Sequence, residues 1–486
     1  MHSGNRTDER GQVERALDAA RTELGIRCTF PPEVLAEAEA SAKRVATVED
    51  GREDRRDLPL ATIDPPGSRD LDQALYVREA DGGGIQLFYA IADVGFFVDR
   101  GGALEAEAWR RGLTVYGPDR KEPLYPPVLS QGAGSLLPDQ DRPAILFEFA
   151  LDAAGELRST VVRRALVRSR AQLTYAQVVE HVCGGERLFA GKEWADGLIA
   201  MRRFGELREK VEAARGGVSI PLVSQHVTQL TTRPLGYELE FEAPQPSEEW
   251  NEQVSLLTGH AAALMMLEAG VGLVRVMGAP EPAAVESFRR AAGTLRFPWP
   301  EGVSYAEFIR TVDITHPLVT PLLWQARRVN RGADYLAFDG ELPADPLHHA
   351  LAMPYAHTTA PLRRLCDRYV LDLLVQLSAG GRPSADEVAT LRRLPKTMDE
   401  AERRESRFER LAIDIAETWV LRDRVGQRFA ATVLGKRDGD VEVQIEDPPV
   451  RAVAEAGGRK PAAGDAVQVT LDRVSVDEGR VTFTLA

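Results

Sequence analysis

At 486 residues, with 44% hydrophobic and 28% charged side chains, the chain has an ordinary globular composition and length for about three domains. Its formal net charge of -14 excludes a uniformly basic surface for polyanions, but not a channel with local basic charge. Glu268 and Arg275 break the longest apolar stretch and the N-terminus has no basic-then-apolar run, so neither a membrane span nor a leader is expected; Cys28, Cys183 and Cys366, far apart, exclude a C-x-x-C metal motif.

Met1 to Gln12 is polar and is expected to fray. Val13, Leu17, Ala20 and Leu24 then recur at helical spacing up to Gly25, and Pro31-Pro32 opens a second helix through Val34, Leu35 and Ala38. Residues 1–45 therefore read as a small helical region, either a helix-turn-helix fragment or a brace for the next domain.

The stretch ATIDPPGSRDLDQALYV, Ala61 to Val77, places Asp64, Asp70 and Asp72 beside a Pro-Pro-Gly turn. The turn forbids helix, and Ala74 to Val77 reads as a strand entering a sheet, so the acids sit where a loop becomes a strand. If Asp70 and Asp72 are already extended they share a face, and the turn can bring Asp64 back towards them. Such hard oxygen ligands suit a divalent cation and phosphodiester hydrolysis. On spacing alone, an acidic surface turn with capping aspartates fits equally well. Ala74 to Val77 and Ile85 to Val94 flank Asp81-Gly-Gly-Gly as an antiparallel hairpin.

The Ala61 to Val77 stretch resembles the signature of the RNB family, the ribonuclease II and ribonuclease R exoribonucleases, which reads roughly TID, a few residues, then D-x-D-D-A. Asp64, Asp70 and Asp72 fall on the first three aspartates, and Gln73 stands in place of the fourth. A Gln offers a neutral carbonyl oxygen, a weaker ligand than the acid. The resemblance puts Asp93 near the site, although a lone strand Asp more often caps a loop. The family's two N-terminal cold-shock barrels have no counterpart in the first 45 residues, so the roof they place over the RNA entrance is expected to be absent or replaced.

Further along, RRGLTVYGPDRKEPLYPPVLS is similar to the family segment whose tyrosine, here Tyr116, stacks on the 3′-terminal base; read alone, Tyr116 is an ordinary strand tyrosine. The family's second clamp aromatic falls on Ile220. RSRAQLTYAQV places Tyr175 where the family contacts the ribose, and Glu252, in a buried helix marked by Trp250, Val254, Leu257, Ala261 and Leu264, falls on a family glutamate. A structural surface acid is the alternative for Glu252.

The second motif, PYAHTTAPLRRLCDRYVLDLL from Pro354, resembles the family's Y-x-H-x-T-S-P-I-R-R-Y-x-D, with Ala360 for Ser and Leu365 for Tyr. Arg363 falls on the arginine that the family uses at the scissile phosphate, and Arg364 and Asp367 match as well. A planar guanidinium holds two phosphoryl oxygens, and Pro361 as the first residue of a helix would aim backbone donors at the same anion. Local pairing with acids is the competing role for these arginines. Other arginines cluster at Arg163, Arg164, Arg168 and Arg170, and at Arg403, Arg404, Arg407 and Arg410, the last set alternating with glutamates as a solvated helix face does.

Phe408, Leu411, Ile415 and Trp419 mark a long amphipathic helix, and residues 424–486 alternate like the strands of an OB barrel, resembling the family's S-one type RNA-binding domain with Phe429 and Phe483 as its few candidate stacking aromatics. The expected fold class is thus an α/β RNB catalytic domain at 46–423, between the helical residues 1–45 and an all-β OB-fold at 424–486. The resemblance implies hydrolysis of single-stranded RNA from its 3′ end to nucleoside 5′-monophosphates, with magnesium, or manganese in its place. Asp64, Asp70 and Asp72 would be catalytic and, with Gln73, hold metal; Arg363 would be catalytic; Tyr116, Tyr175, Glu252 and Arg364 would bind substrate. A cytoplasmic monomer that meets no membrane is expected. The rival is an RNB-fold RNA-binding protein crippled at Gln73.

Overall fold

The computed structural model describes residues 5–185, 187–218, 220, 224–230, 236–242, 244–314, 316, 318–330, 332–437 and 439–486. Helix α1, Asn5–Glu23, begins well before the apolar repeat, so part of the stretch expected to fray is helical. Its buried Val13, Leu17 and Leu24 lie against Phe408, Ile415 and Trp419. Helix α2, Pro32–Ser41, carries Pro32 at its first position, where a missing N–H costs nothing.

Strands β1 (Glu53–Asp54), β2 (Leu60–Ile63), β3 (Gln73–Glu79) and β4 (Ile85–Ala92) are followed by helix α3 (Ala103–Arg111), the hairpin of β5 (Val115–Tyr116) and β6 (Lys121–Glu122), and the long strands β7 (Asp141–Leu151) and β8 (Leu157–Leu173). Helix α2 packs on α3, so the two N-terminal helices brace different parts of the molecule. The main sheet has the order β1-β8-β2-β3-β4-β7, and β8 also pairs with β7, returning the sheet upon itself. β3 and β4 form the expected antiparallel pair, with Gln73 opposite Ile91. β4 is apolar at almost every position because both its faces are covered.

Helices α4 (Tyr175–Cys183) and α5 (Ala195–Arg215), strands β9 (Ser224–Leu230) and β10 (Gly236–Glu242), and helix α6 (Pro246–Ala269) come next. Trp250, Val254, Leu257 and Ala261 of α6 are buried as their spacing predicts, whereas Leu264 is 41% exposed. Gly259 lets α6 sit on the second motif, since a Cβ there would lie 2.2 Å from the Tyr355 ring and 2.5 Å from the Ala356 carbonyl oxygen. A four-stranded sheet, β11 (Val271–Met277), β12 (Ala333–Asp339), β13 (Leu347–His348) and β14 (Met353–Pro354), surrounds helices α7 (Pro282–Thr294), α8 (Tyr305–Arg310) and α9 (Val319–Ala326) in sequence. Ile220 packs against the cluster around Phe288 in that region.

Helix α10 (Leu365–Ser378) leads to α11 (Ala385–Leu421), about 55 Å long at the helical rise of 1.5 Å per residue. α11 buries Leu391, Leu394 and Met398 in the main core, Phe408 against α1, and Ala416 and Leu421 in the C-terminal core. Strands β15 (Arg428–Arg437), β16 (Asp440–Ile445), β17 (Arg451–Glu455), β18 (Ala466–Ser475) and β19 (Arg480–Leu485) close a barrel in the order β15-β16-β17-β19-β18. Phe429 and Phe483 pack edge to face inside it, 7% and 0% exposed, so neither offers a platform for bases. Among the described residues, no helix is long and apolar enough to cross a membrane.

Candidate active site

The acid-rich loop leaves the sheet at the end of β2, where the Asp64 N–H donates to the Leu173 carbonyl of β8 at 3.0 Å. Gly67, at φ 81°, makes the reversal in the left-handed region. The return is fixed by Ser135, whose hydroxyl accepts from the Leu71 N–H at 2.9 Å and donates to the Arg69 carbonyl at 2.6 Å, and by the Ala92 N–H, which donates to the Asp72 carbonyl at 2.9 Å. Backbone pairing thus decides where Asp64, Asp70 and Asp72 point.

The second motif meets this loop directly, although 290 residues separate them. Residues 361–363 form a tight turn in which the Arg363 and Arg364 N–H groups donate to the Ala360 carbonyl at 3.1 and 2.8 Å. Helix α10 begins only at Leu365, so Pro361 does not open it: Arg364 is extended and bridges to Leu113, which keeps the helix from starting earlier. The backbone donor the turn aims at the site is the Leu362 N–H, which gives its hydrogen bond to Asp72 Oδ1 at 2.7 Å. Arg363 Nε stands 3.6 Å from Asp72 Oδ2, and the Gln73 amide nitrogen donates to the Thr359 carbonyl. Any ligation by Gln73 would therefore come through its carbonyl oxygen.

Asp72 is 4% exposed, and burial pushes its carboxyl up to about 7 against the opposing pull of Arg363 and the Leu362 N–H. Burial and the charge of Asp70 likewise raise Asp64, to about 6. Asp64 Oδ2 is buried and, among the described residues, accepts no hydrogen bond. Crowded, desolvated carboxylates with an orphaned oxygen fit a hard cation, which would favour the charged forms that burial opposes. The three expected aspartates are neighbours but do not close to ligand spacing: among the described residues the one trio of acid, His or Cys side chains with ligand atoms within 4.8 Å is His357, Cys366 and Asp367. That trio is already committed, His357 to the Tyr335 hydroxyl at 2.7 Å and Asp367 to Arg364. Two of the aspartates are drawn to different partners: Asp72 to the second motif, and Asp70 to Lys121, whose ammonium donates to Asp70 Oδ1 at 2.6 Å.

Lys121 is absent from the expectations. Its signal lay in the β5–β6 hairpin, where Tyr116 and Lys121 are directly opposite each other and so share a face. The hairpin is locked to the second motif by the Thr114 N–H, which donates to the Arg363 carbonyl at 3.0 Å, and to α1 by Arg21. Arg21 is fully buried, grips Asp119 at 2.5 and 2.9 Å, approaches Glu122 at 3.3 Å and lies 5.0 Å over the Phe408 ring. Tyr116, 47% exposed, lines a cavity of about 350 Å³ with Arg275, Arg363, Arg364, Glu402 and Glu405. The cavity is rich in both charges, so the net acidity of the chain is no obstacle to an anionic ligand there.

The remaining expected residues are unequal. The Tyr175 phenol, raised by burial and by Asp64, pairs with the Asn251 side chain beside the acidic loop. Glu252 is exposed on α6, and its carboxyl is raised by desolvation and then by the charges of Glu212 and Glu249. Arg364 lines the cavity, yet its guanidinium is held by Asp367 at 2.8 and 3.1 Å, which makes it a brace of the turn. Asp93 is paired with Arg52 and Arg164 at 2.8 and 2.6 Å. Arg163, Arg164 and Arg168 pair with acids along β8, so that cluster is structural.

The RNB domain family model matches residues 52–380, and the model for the RNase II-type exonuclease C-terminal S1 domain matches residues 427–486. Ribonuclease R of Escherichia coli (strain K12) is 28% identical over 90% of this chain and 57% of its own length. The exosome complex exonuclease RRP44 of Homo sapiens is 30% identical over 66% of this chain and 34% of its own. The chain thus spans a little over half of the ribonuclease R it matches. Mycoplasma genitalium RNase R in complex with ribose methylated single-stranded RNA superposes with a TM-score of 0.87 at 19% identity, over 98% of this chain and 78% of that one. Yeast Ssd1, a pseudonuclease, superposes with a TM-score of 0.75 at 18% identity, over 96% and 60%. These two likenesses speak to the fold alone.

Proposed function

Because the chain belongs to the RNB family, we propose that it hydrolyses single-stranded RNA from the 3′ end and releases nucleoside 5′-monophosphates with magnesium, or manganese in its place. The observation that supports this reading most is the joining of the two motifs: a buried carboxylate, Asp72, takes the Leu362 N–H and faces the Arg363 guanidinium at the wall of a cavity.

Asp64, Asp70 and Asp72 are the proposed holders of the cation, with Gln73 able to add its carbonyl oxygen. Bound there, a divalent cation supplies a more acidic water and neutralises phosphoryl charge. Asp72 keeps Arg363 oriented, and the guanidinium takes two phosphoryl oxygens and stabilises charge that grows during displacement. Tyr116 offers a face to the terminal base, worth roughly 1–3 kcal/mol and indifferent to base identity. Tyr175, near Asp64, would contact the ribose, and Arg364, which lines the cavity, and Glu252 would bind substrate. The proposed division is a helical brace at 1–45, a catalytic domain at 46–423 and an RNA-binding barrel at 424–486, whose grip would rest on groups other than Phe429 and Phe483.

Two observations favour a second reading, an RNA-binding protein without hydrolysis: Gln73 where the family has an acid, and Lys121 seated on Asp70. Incubation of 5′-labelled single-stranded RNA with the protein and magnesium separates them. The enzyme shortens the label stepwise; the binding protein retains RNA at full length.

A further inference from the structure

Lys121 reaches into the acidic loop from the hairpin that carries Tyr116, its direct cross-strand partner. Its ammonium sits 2.6 Å from Asp70 Oδ1, with the two side chains 27% and 16% exposed, so the pair is largely shielded from water and from salt. The hairpin cannot easily withdraw, because Arg21 and the Thr114 hydrogen bond hold it on both sides. Three carboxylates, Asp64, Asp70 and Asp72, therefore face two fixed cations, Lys121 and Arg363, and Gln73 adds no charge. Asp72 is committed to Leu362 and Arg363, which leaves Asp64, with its orphaned Oδ2, and Asp70 as the carboxylates with oxygen to spare.

We propose that Lys121 is a built-in competitor for the divalent cation: it holds Asp70 out of the ligand set, so metal binds weakly at Asp64 until it displaces the ammonium from Asp70. The inference rests on reading the first motif as a cation site. It explains why the three aspartates are neighbours without reaching ligand spacing. It also assigns this chain a weaker affinity for metal than its three carboxylates alone would give, because recruiting Asp70 must break a close, shielded ion pair.

Manganese binding to the full chain, counted by the electron paramagnetic resonance of free Mn2+ with no RNA present, tests this. Lys121→Met should bind Mn2+ at least tenfold more tightly than the wild type, while Lys121→Arg, which keeps the charge, should stay within threefold of it. In an Asp70→Asn background the Lys121→Met change should have less than a twofold effect, since the competition passes through Asp70. If Lys121→Met does not fold, Lys121→Gln carries the same expectation. Equal affinity in wild type and the uncharged variants would overturn the proposal, and so would equal tightening in Lys121→Arg, which would make the effect steric. Binding of no Mn2+ by any form would overturn it together with the metal site, whereas the RNA-shortening assay reports hydrolysis separately.

Discussion

Replacing Arg21 by Met removes a fully buried arginine that ties α1 to the hairpin bearing Tyr116 and Lys121. Asp119 and Glu122, 7% and 5% exposed at the side chain, lose their closest buried cation. Breaking a buried ion pair on one side costs about 3–5 kcal/mol, since an uncompensated charge remains. Here the low end applies, because Arg120 still stands 3.2 Å from Asp119 and 2.8 Å from Glu122 and is partly open to water. About 3 kcal/mol is roughly a hundredfold in the opening equilibrium of the hairpin. Amide hydrogen exchange reads this locally: the Thr114 and Gly117 amides, hydrogen-bonded to Arg363 and Arg120, should lose about a hundredfold in protection, with the barrel unaffected. Adding Asp119→Asn should restore part of the loss, because it removes the stranded charge. Unchanged protection in Arg21→Met would mean that the hairpin is held by its other contacts alone.

Gln73→Asp adds a negative charge to the loop and should lower the magnesium concentration for half-maximal activity, with turnover changed by less than about tenfold, or 1.4 kcal/mol of barrier; an unmoved magnesium dependence would place Gln73 outside the metal shell. Arg363→Lys should lower kcat, measured on short RNA, because a point charge cannot copy the planar fork and loses its orientation by Asp72. In metal-free protein the Asp72 carboxyl, raised to about 7, binds a proton that the unfolded chain has already lost, so this group's contribution to stability falls as pH rises from about 4 to 7 and levels off above it. The melting temperature of Asp72→Asn should therefore gain on the wild type across that window, and a parallel pH dependence of the two would refute the buried-acid assignment.

Both motifs were legible because residue identity carries them: an acid turn running into a strand, and paired arginines after a proline. The β3–β4 hairpin was legible from Asp81-Gly-Gly-Gly between two strand-like runs, and the buried face of α6 from its 3.6 period, apart from the exposed Leu264. What stayed hidden depends on distant pairing. Nothing near Lys121 in sequence announces Asp70, 51 residues away, and nothing near Arg21 announces Asp119, 98 residues away. The same blindness left the role of the β8 arginine cluster open, where Arg163 and Arg164 answer Glu53, Asp93 and Asp372. Pro361 looked like a helix start because its fixed φ suits one, yet the Leu113–Arg364 bridge holds the next residues extended. Phe429 and Phe483 were candidates by type, but closure of a small barrel needs large side chains inside.

Asp72 is the buried centre of the junction between the two motifs, where hydrolysis is proposed to occur. Asp72→Asn can still accept the Leu362 hydrogen bond through its amide oxygen, so it removes charge while sparing the turn. The deciding measurement is a time course of 5′-labelled single-stranded RNA with magnesium, run with wild type and Asp72→Asn beside a filter-binding assay. The wild type should give a ladder shortened from the 3′ end, and Asp72→Asn should hold the RNA within a few fold of wild-type affinity without shortening it. Full-length RNA retained by the wild type, or a ladder from Asp72→Asn at the wild-type rate, would contradict hydrolysis at this junction.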